Sequence, residues 1–264
     1  PVAVEIEGLV APVAAVAAGG CGNAGGHSIV CDAEGKVFCW GDNSYGQLGL
    51  GSTEATVWRP RLCEAVGGTP VANAACGGCH SLLLMQDGGV QATGDNSRGQ
   101  LGVETNTRPS IPAVRTPTEV PLAAATAVLA GATSSGAVVG GRLVLWGALL
   151  SGVFAASSPT AVPVPFATAA SHIVSAALGE RHCIVADSVG QIYVWGTAAS
   201  PHYELTGRPG STGIERSALD MLSLGVEVQP AATLPSDLAA ELAHNTIVCA
   251  GTNASYFHTT RRKA

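Results

Sequence analysis

Residues 33 to 49 read AEGKVFCWGDNSYGQLG: a turn, a short apolar strand closing on Trp40-Gly41, and a polar loop ending in Gly46-Gln47-Leu48-Gly49. The same design returns at Asp87 to Gly102, where Gly94-Asp95-Asn96-Ser97-Arg98-Gly99-Gln100-Leu101-Gly102 repeats the loop with one exchange, Arg98 for Tyr45. Further along come Trp146-Gly147 and Trp195-Gly196. The marking glycines Gly41, Gly94, Gly147 and Gly196 therefore recur about every 50 residues, a period that belongs to propellers and related repeat arrays.

Working outward, each copy opens with an apolar residue six positions before a glycine: Val13 and Gly19, Val71 and Gly77, Ala125 and Gly131, Ile173 and Gly179. Three residues past that glycine stands His80 or His182; Ser134 replaces it in the third copy, and a Gly-rich insertion delays His27 in the first. An apolar run, a turn with glycine and the Trp-Gly pair complete a hairpin, as in His27 to Cys31 and Val37 to Trp40 around Asp32-Ala33-Glu34-Gly35-Lys36. Glycine late in such a turn supplies the positive φ that a short loop needs. Apolar runs without strict alternation predict strands covered on both faces, as in stacked sheets. Prolines 60, 112, 163 and 230 are read as links between copies.

Composition agrees with an all-β chain: 47% hydrophobic and 12% charged residues, with 34 Gly and 15 Pro, give a core punctuated by many turns. The formal charge of −6 leaves no broad positive field for nucleic acid. Arg261-Arg262-Lys263 is a local basic patch, which keeps open a peripheral RNA contact. The uncharged stretch from Val120 toward Arg142 is too rich in Ala, Gly, Ser and Thr for a spanning helix, so no membrane insertion is expected. Leu9 to Ala18 lacks a preceding basic region and is cut by a proline, which makes it a poor signal peptide. The eight cysteines do not recur at matching repeat positions, so reduced thiols in an intracellular compartment are expected rather than a disulfide framework.

Beyond Gly196 the pattern decays. Tyr203-Glu204-Leu205-Thr206-Gly207 is a worn Gly-Gln-Leu-Gly, residues 211 to 224 read as an insertion with a short helix over 215 to 222, and a fifth copy starts near Leu238 with a strand at Thr246 to Cys249. Val2 to Ile6 is a candidate strand for that last unit, since closing a ring removes exposed strand edges. The expected organisation is one domain over residues 1–264, with clear repeats at 13–196 and a degenerate repeat and insertion at 197–264.

With His27-Ser28, Trp40-Gly41 and Gly46-Gln47-Leu48-Gly49, then His80-Ser81, Gly94 and Gly99-Gln100-Leu101-Gly102, the chain resembles the RCC1-repeat family, the β-propellers named after regulator of chromosome condensation. The resemblance implies an all-β, RCC1-like propeller. Family members typically have seven blades of four strands, and about five units are recognisable here. A reduced or open propeller and a chain lacking part of the natural protein both fit that number.

Recurrence itself assigns roles. A catalytic group is expected once, not in every copy, so His27, Trp40, Gly41, Gly46, Gly49, His80, Gly94, Gly99, Gly102, Trp146, Gly147, His182, Trp195 and Gly196 are read as structural repeat positions, with no catalytic and no cofactor-binding residue. Cys76-Gly77-Gly78-Cys79-His80 fits covalent haem attachment as a string, and Cys76 and Cys79 with Cys63 could hold zinc. Because Gly77 and His80 are repeat positions, the favoured reading is two cysteines that fall beside them, with no metal. No phosphate loop follows from the glycines, because a Lys-Ser/Thr and an opening helix are missing.

These readings predict a non-catalytic protein-interaction scaffold that needs no cofactor. It binds other proteins through propeller loops, with residues 103–124 and 197–234 as irregular surface, inside a multi-subunit complex. The family resemblance adds a mitochondrial ribosome-type ribonucleoprotein as the specific assembly and the mitochondrion as compartment, with cytosol or nucleus as alternatives. Its other implication is a guanine-nucleotide exchange factor for a small GTPase, the founding member's activity, although none of that activity's residues is matched here.

Overall fold

In the computed structural model, the structure describes residues 9, 11–20, 25–103, 113–148, 162–163, 172–179, 182–188, 191–196, 232–233, 246–250 and 255–259. Each copy of the repeat forms an antiparallel sheet, a blade. Blade 1 pairs β1 (Val13–Gly19), β2 (His27–Asp32), β3 (Val37–Asp42) and β4 (Thr56–Leu62) in that order. Blade 2 repeats the plan with β5 (Val71–Cys76), β6 (His80–Met85), β7 (Val90–Asp95) and β8 (Ala113–Glu119), and a 3-10 turn at Glu64–Val66 leads into it. Blade 3 holds β9 (Ala125–Ala130), β10 (Ser134–Val139), β11 (Arg142–Gly147) and the two-residue β12 (Val162–Pro163). Blade 4 holds β13 (Ile173–Leu178), β14 (His182–Asp187), β15 (Gln191–Gly196) and the two-residue β16 (Ala232–Thr233), and a fifth unit is the pair β17 (Thr246–Ala250) and β18 (Ser255–Thr259). First strands touch in succession, β1 on β5, β5 on β9, β9 on β13 and β13 on β17, so the sheets fan out from a common line as propeller blades do.

The side chains of β6 explain the unbroken apolar runs. Leu83 and Met85 join the core shared with blade 1, built on Ile29, Cys31, Val37 and Cys39. Leu82 and Leu84 join the core shared with blade 3, built on Val90, Ala92, Leu101, Ala137 and Trp146. Both faces of a middle strand are buried, so the alternation expected of a half-exposed sheet disappears.

The repeat glycines sit where no side chain fits. A methyl group on Gly19 would strike the carbonyl of Gly77, one on Gly77 the ring of His80, and one on Gly131 would lie 2.5 Å from the carbonyl oxygen of Gly179. The four glycines thus bring neighbouring blades into backbone contact at one end of their first strands. The glycine of each Trp-Gly pair lies opposite the repeat histidine or its substitute: His27 faces Gly41, His80 Gly94, Ser134 Gly147 and His182 Gly196. Gly41 and Gly94 have φ of 105° and 111°, backbone that only glycine adopts without strain.

Two expectations are corrected. Pro60 and Pro163 lie inside β4 and β12, the outermost strands of their blades, rather than in links; an edge strand tolerates proline because its outward N–H has no ladder partner to lose. Residues 113–119 of the segment read as irregular, 103–124, are the strand β8. The strand expected at Thr246 to Cys249 is β17, ending at Ala250 and paired with β18. The strand at Val2 to Ile6, the start near Leu238 and the helix over 215–222 lie outside the described residues.

Candidate functional site: the clasp between neighbouring blades

The loop after each Trp-Gly position is built by its own polar side chains. In blade 1 the Asp42 carboxylate accepts hydrogen bonds from Ser44 N–H at 3.1 Å and Ser44 O–H at 2.6 Å through Oδ1, and from Gln47 Nε2–H at 3.0 Å through Oδ2. Gln47 Oε1 in turn accepts from Tyr45 N–H at 3.0 Å, and Asn43 Oδ1 from Leu48 N–H at 3.2 Å. Blade 2 repeats the network: Asp95 accepts from Ser97 and from Gln100 Nε2–H at 2.8 Å, Gln100 Oε1 from Arg98 N–H at 2.9 Å, and Asn96 Oδ1 from Leu101 N–H at 3.0 Å. The Asp-Asn pair replaces a missing ladder with side-chain acceptors, which fixes the loop in one shape.

That shape aims the main-chain carbonyls of Gln47 and Gln100 at the next blade. Ser81 O–H donates to Gln47 O at 2.7 Å, and Ser135 O–H to Gln100 O at 2.6 Å. Each serine oxygen also meets a histidine of the preceding blade: His27 Nε2 to Ser81 Oγ and His80 Nε2 to Ser135 Oγ, both 2.9 Å. A hydroxyl has one proton, and it goes to the carbonyl; the serine oxygen therefore accepts from Nε2–H, which sets the tautomer of both rings. Histidine, serine and carbonyl form a clasp that crosses each blade boundary between blades 1 and 3.

The rings are held neutral. Burial depresses His27 to about 4 against the opposing attraction of the Asp42 carboxylate, and depresses His80 to about 3 with repulsion from His27 adding to it. The third position of the Trp-Gly row adds one more donor to the clasp. Trp146 is buried and gives Nε1–H to Gln100 O at 3.0 Å. Thr93, which stands in for tryptophan in blade 2, places Oγ1 2.8 Å from Gly46 O.

The thiols are likewise turned inward. Cys39 and Cys63 lie together and direct Sγ at successive carbonyls of the same loop, Leu48 O at 3.2 Å and Gly49 O at 3.3 Å. The Cys63 thiol beside it, with burial, pushes Cys39 far up, and Cys39 in turn holds Cys63 below its usual value. Burial pushes Cys76 up to about 12, which disfavours the thiolate that haem attachment or zinc binding would use. His80 in the Cys76 to His80 string is turned to Ser135 of blade 3. Among the described residues no three His, Cys, Asp or Glu side chains gather as a metal site, and no helix is long and apolar enough to cross a membrane.

Of the positions singled out in the sequence, the structure brings His27, His80, Gly41, Gly46, Gly49, Gly94, Gly99, Gly102, Trp146 and Gly147 to blade boundaries or the loops that form them. Trp40 is half-buried. The side chains of His182 and Trp195 lie outside the described residues, while Gly196 pairs with His182 in the ladder. Sequence reasoning misses Ser81, Ser135 and the carbonyls of Gln47 and Gln100; the serines carry a signal in their place beside His80 and Ser134, and the carbonyls carry none.

Comparison with known proteins places these features in a wider set. A family model described as "Regulator of chromosome condensation (RCC1) repeat" matches residues 34–84, and a second model with that description matches residues 13–47 and 71–100. Human RCC1 domain-containing protein 1 is 30% identical over 192 residues, which is 72% of this chain and 46% of the relative. Among solved structures, human WBSCR16 superposes with a TM-score of 0.70 at 20% identity, covering 98% of this chain and 60% of that one. Prp20p of Saccharomyces cerevisiae, whose structure is described together with its binding to Gsp1p and histones, superposes with a TM-score of 0.66 at 17% identity, covering 98% of this chain and 58% of that one. The chain spans about half the length of these relatives.

Proposed function

Because the chain belongs to the RCC1-repeat family of β-propellers, we propose that it is a non-catalytic scaffold that holds other proteins on its blades and loops within a larger assembly. The observation that carries this reading is the clasp. The side chains that look chemically equipped in the sequence, His27, His80, Ser81, Ser135, Asp42 and Asp95, are engaged with one another or with backbone at blade boundaries and loops. A buried imidazole that burial keeps from taking up a proton, and that no outside substrate reaches, is a poor general base. What such a molecule offers a partner is a rigid frame and the surface it displays, as functional loops on a fixed scaffold do.

Protein partners are the class this reading names, in keeping with the described binding of Prp20p to Gsp1p and histones. The finer reading, a subunit of a mitochondrial ribosome-type ribonucleoprotein, is carried by family resemblance and is checked by co-sedimentation of the tagged chain with mitochondrial ribosomal particles. Affinity purification of the tagged chain from native cells tests the scaffold itself. A defined set of co-purifying proteins is expected, together with no stimulation of nucleotide release from a panel of small GTPases; stimulated release would replace the scaffold with an exchange factor.

A further inference from the structure

Four of the described cysteines, Cys31, Cys39, Cys63 and Cys76, belong to or pack against the core shared by blades 1 and 2, and two of them form a pair. Cys63 N–H donates to Val37 O at 2.8 Å, one step beyond the pairing of Phe38 with Leu62. Cys63 therefore stands opposite Val37, and Cys39, two residues along β3, shares its face of the sheet. The register makes the two side chains diagonal neighbours on adjacent strands. Their sulfurs converge on one short segment, Cys39 Sγ on Leu48 O at 3.2 Å and Cys63 Sγ on Gly49 O at 3.3 Å.

The members of the pair differ in access. Cys39 is fully buried, whereas Cys63, 5% exposed, lines a cleft of about 220 Å³ between the turn at residues 34–36 and the segment 66–70 that leads into β5. That space admits a small oxidant and keeps a bulky one away from the sulfur. The two thiols also differ in reactivity. Cys39 beside it holds the Cys63 thiol below its usual value, and the main-chain groups of Ala65 and Val66 add to that. Burial instead pushes Cys31 up to about 11 and Cys76 up to about 12. Thiolate character together with access and a resolving partner is what selects one cysteine for oxidation among several.

We propose that Cys63 and Cys39 form a peroxide-responsive dithiol, with Cys63 the attacking sulfur and Cys39 the resolving one, and that closing the disulfide frees the Gly46-Gln47-Leu48-Gly49 loop. The Cys63 thiolate attacks one oxygen of hydrogen peroxide, the O–O bond breaks, and the departing hydroxide takes a proton and leaves as water, giving a sulfenic acid on Cys63. The Cys39 sulfur then attacks the Cys63 sulfur, and its proton leaves with the expelled hydroxyl as a second water. Two thiols are thus oxidised while one peroxide is reduced to water. Both S–H donors are consumed, so Leu48 O and Gly49 O lose the hydrogen bonds that the thiols supply. The preceding carbonyl is Gln47 O, which accepts Ser81 O–H at 2.7 Å, so the change reaches the boundary between blades 1 and 2. The inference goes beyond the scaffold reading and does not depend on it.

The test treats the full reduced chain with hydrogen peroxide and maps its peptides without reduction. A Cys39–Cys63 link is expected, reversed by dithiothreitol. In Cys39→Ser the new hydroxyl keeps a donor for Leu48 O, and Cys63 is expected to stop at the sulfenic acid and be captured by dimedone. Cys63→Ser is expected to leave Cys39 unmodified. In the reduced chain the amides of Leu48, Gly49 and Gly51 are bonded to Asn43 Oδ1, Gly46 O and Arg115 O. Their hydrogen exchange is expected to quicken roughly tenfold in the linked form. Cys76 and Cys79 are both more exposed than Cys63, so oxidation that falls on them and spares Cys63 shows that exposure alone directs the chemistry, and overturns the proposal. A chain that keeps both thiols, or a disulfide that leaves exchange in the loop unchanged, overturns it as well.

Discussion

His27 and Ser81 are 54 residues apart in the chain and 2.9 Å apart in space, with the serine proton passed on to Gln47 O at 2.7 Å. Removing the hydroxyl strands two buried groups at once, an Nε2–H and a carbonyl. Ser81→Ala is therefore expected to destabilise the protein by about 1–3 kcal/mol, the cost of burying polar groups without partners. Ser28→Ala, at the equivalent but uncovered position, is expected to change stability by less than about 0.5 kcal/mol. Chemical denaturation of the two variants side by side checks the difference; equal losses would mean that the clasp contributes nothing beyond strand propensity.

The same two imidazoles make stability depend on pH. In the unfolded chain a histidine takes up its proton near 6.5, whereas folded His27 does so only at about 4 and His80 at about 3. Between those values the unfolded state binds more protons, so stability is fully present above 6.5 and falls as pH drops toward 4 and then toward 3. Melting temperatures are expected to decline across that window, and less steeply in His80→Gln, which removes one of the titrating rings. A flat profile from neutral pH down to the folded-state value of His27 would show that the rings are not held neutral.

Much of this arrangement was legible in the chain because glycine leaves a conformational signature that periodicity amplifies. Trp40-Gly41, Trp146-Gly147 and Trp195-Gly196 mark the third strand of each blade, and Thr93-Gly94 is recognisable by spacing alone. The fourth strands were not legible. β4 and β8 carry Pro60 and Pro117, are exposed along much of their length and pair through bulges, so neither apolar alternation nor propensity marks them, and prolines there look like linkers. The clasp was half legible: His27 and His80 recur, but their acceptors lie on the neighbouring blade, and no local pattern reports a contact across 54 residues.

Glycine positions differ sharply in what they resist. At Gly94 a methyl group would run into the carbonyl of Cys79, with φ at 111°, whereas Gly67, at φ 82°, has nothing within 4 Å of an added Cβ. Gly67→Ala is expected to cost about 1–3 kcal/mol, the penalty of a positive-φ extended backbone that glycine alone adopts readily, with no collision added. Gly94→Ala adds a backbone collision and is expected to cost more than about 3 kcal/mol or to prevent folding. Soluble yield and denaturation midpoints separate the two, and a mild Gly94→Ala variant would show that β6 and β7 can part without loss.

The loop network offers a test in which a second change repairs the first. Asp42 Oδ2 accepts from Gln47 Nε2–H, and Gln47 Oε1 accepts from Tyr45 N–H. In Asp42→Asn an amide that replaces Oδ2 faces the amide of Gln47, donor against donor, while rotating the new side chain puts its amide against the Ser44 donors. Both groups are buried, so a loss of about 1–3 kcal/mol is expected. Adding Gln47→Glu turns the facing group into an acceptor for the introduced amide and keeps an oxygen for Tyr45 N–H, so the double variant is expected to recover most of that loss. A double-mutant cycle measures the coupling directly. Additive losses would mean that the loop carbonyl aimed at Ser81 is positioned by something other than this pair.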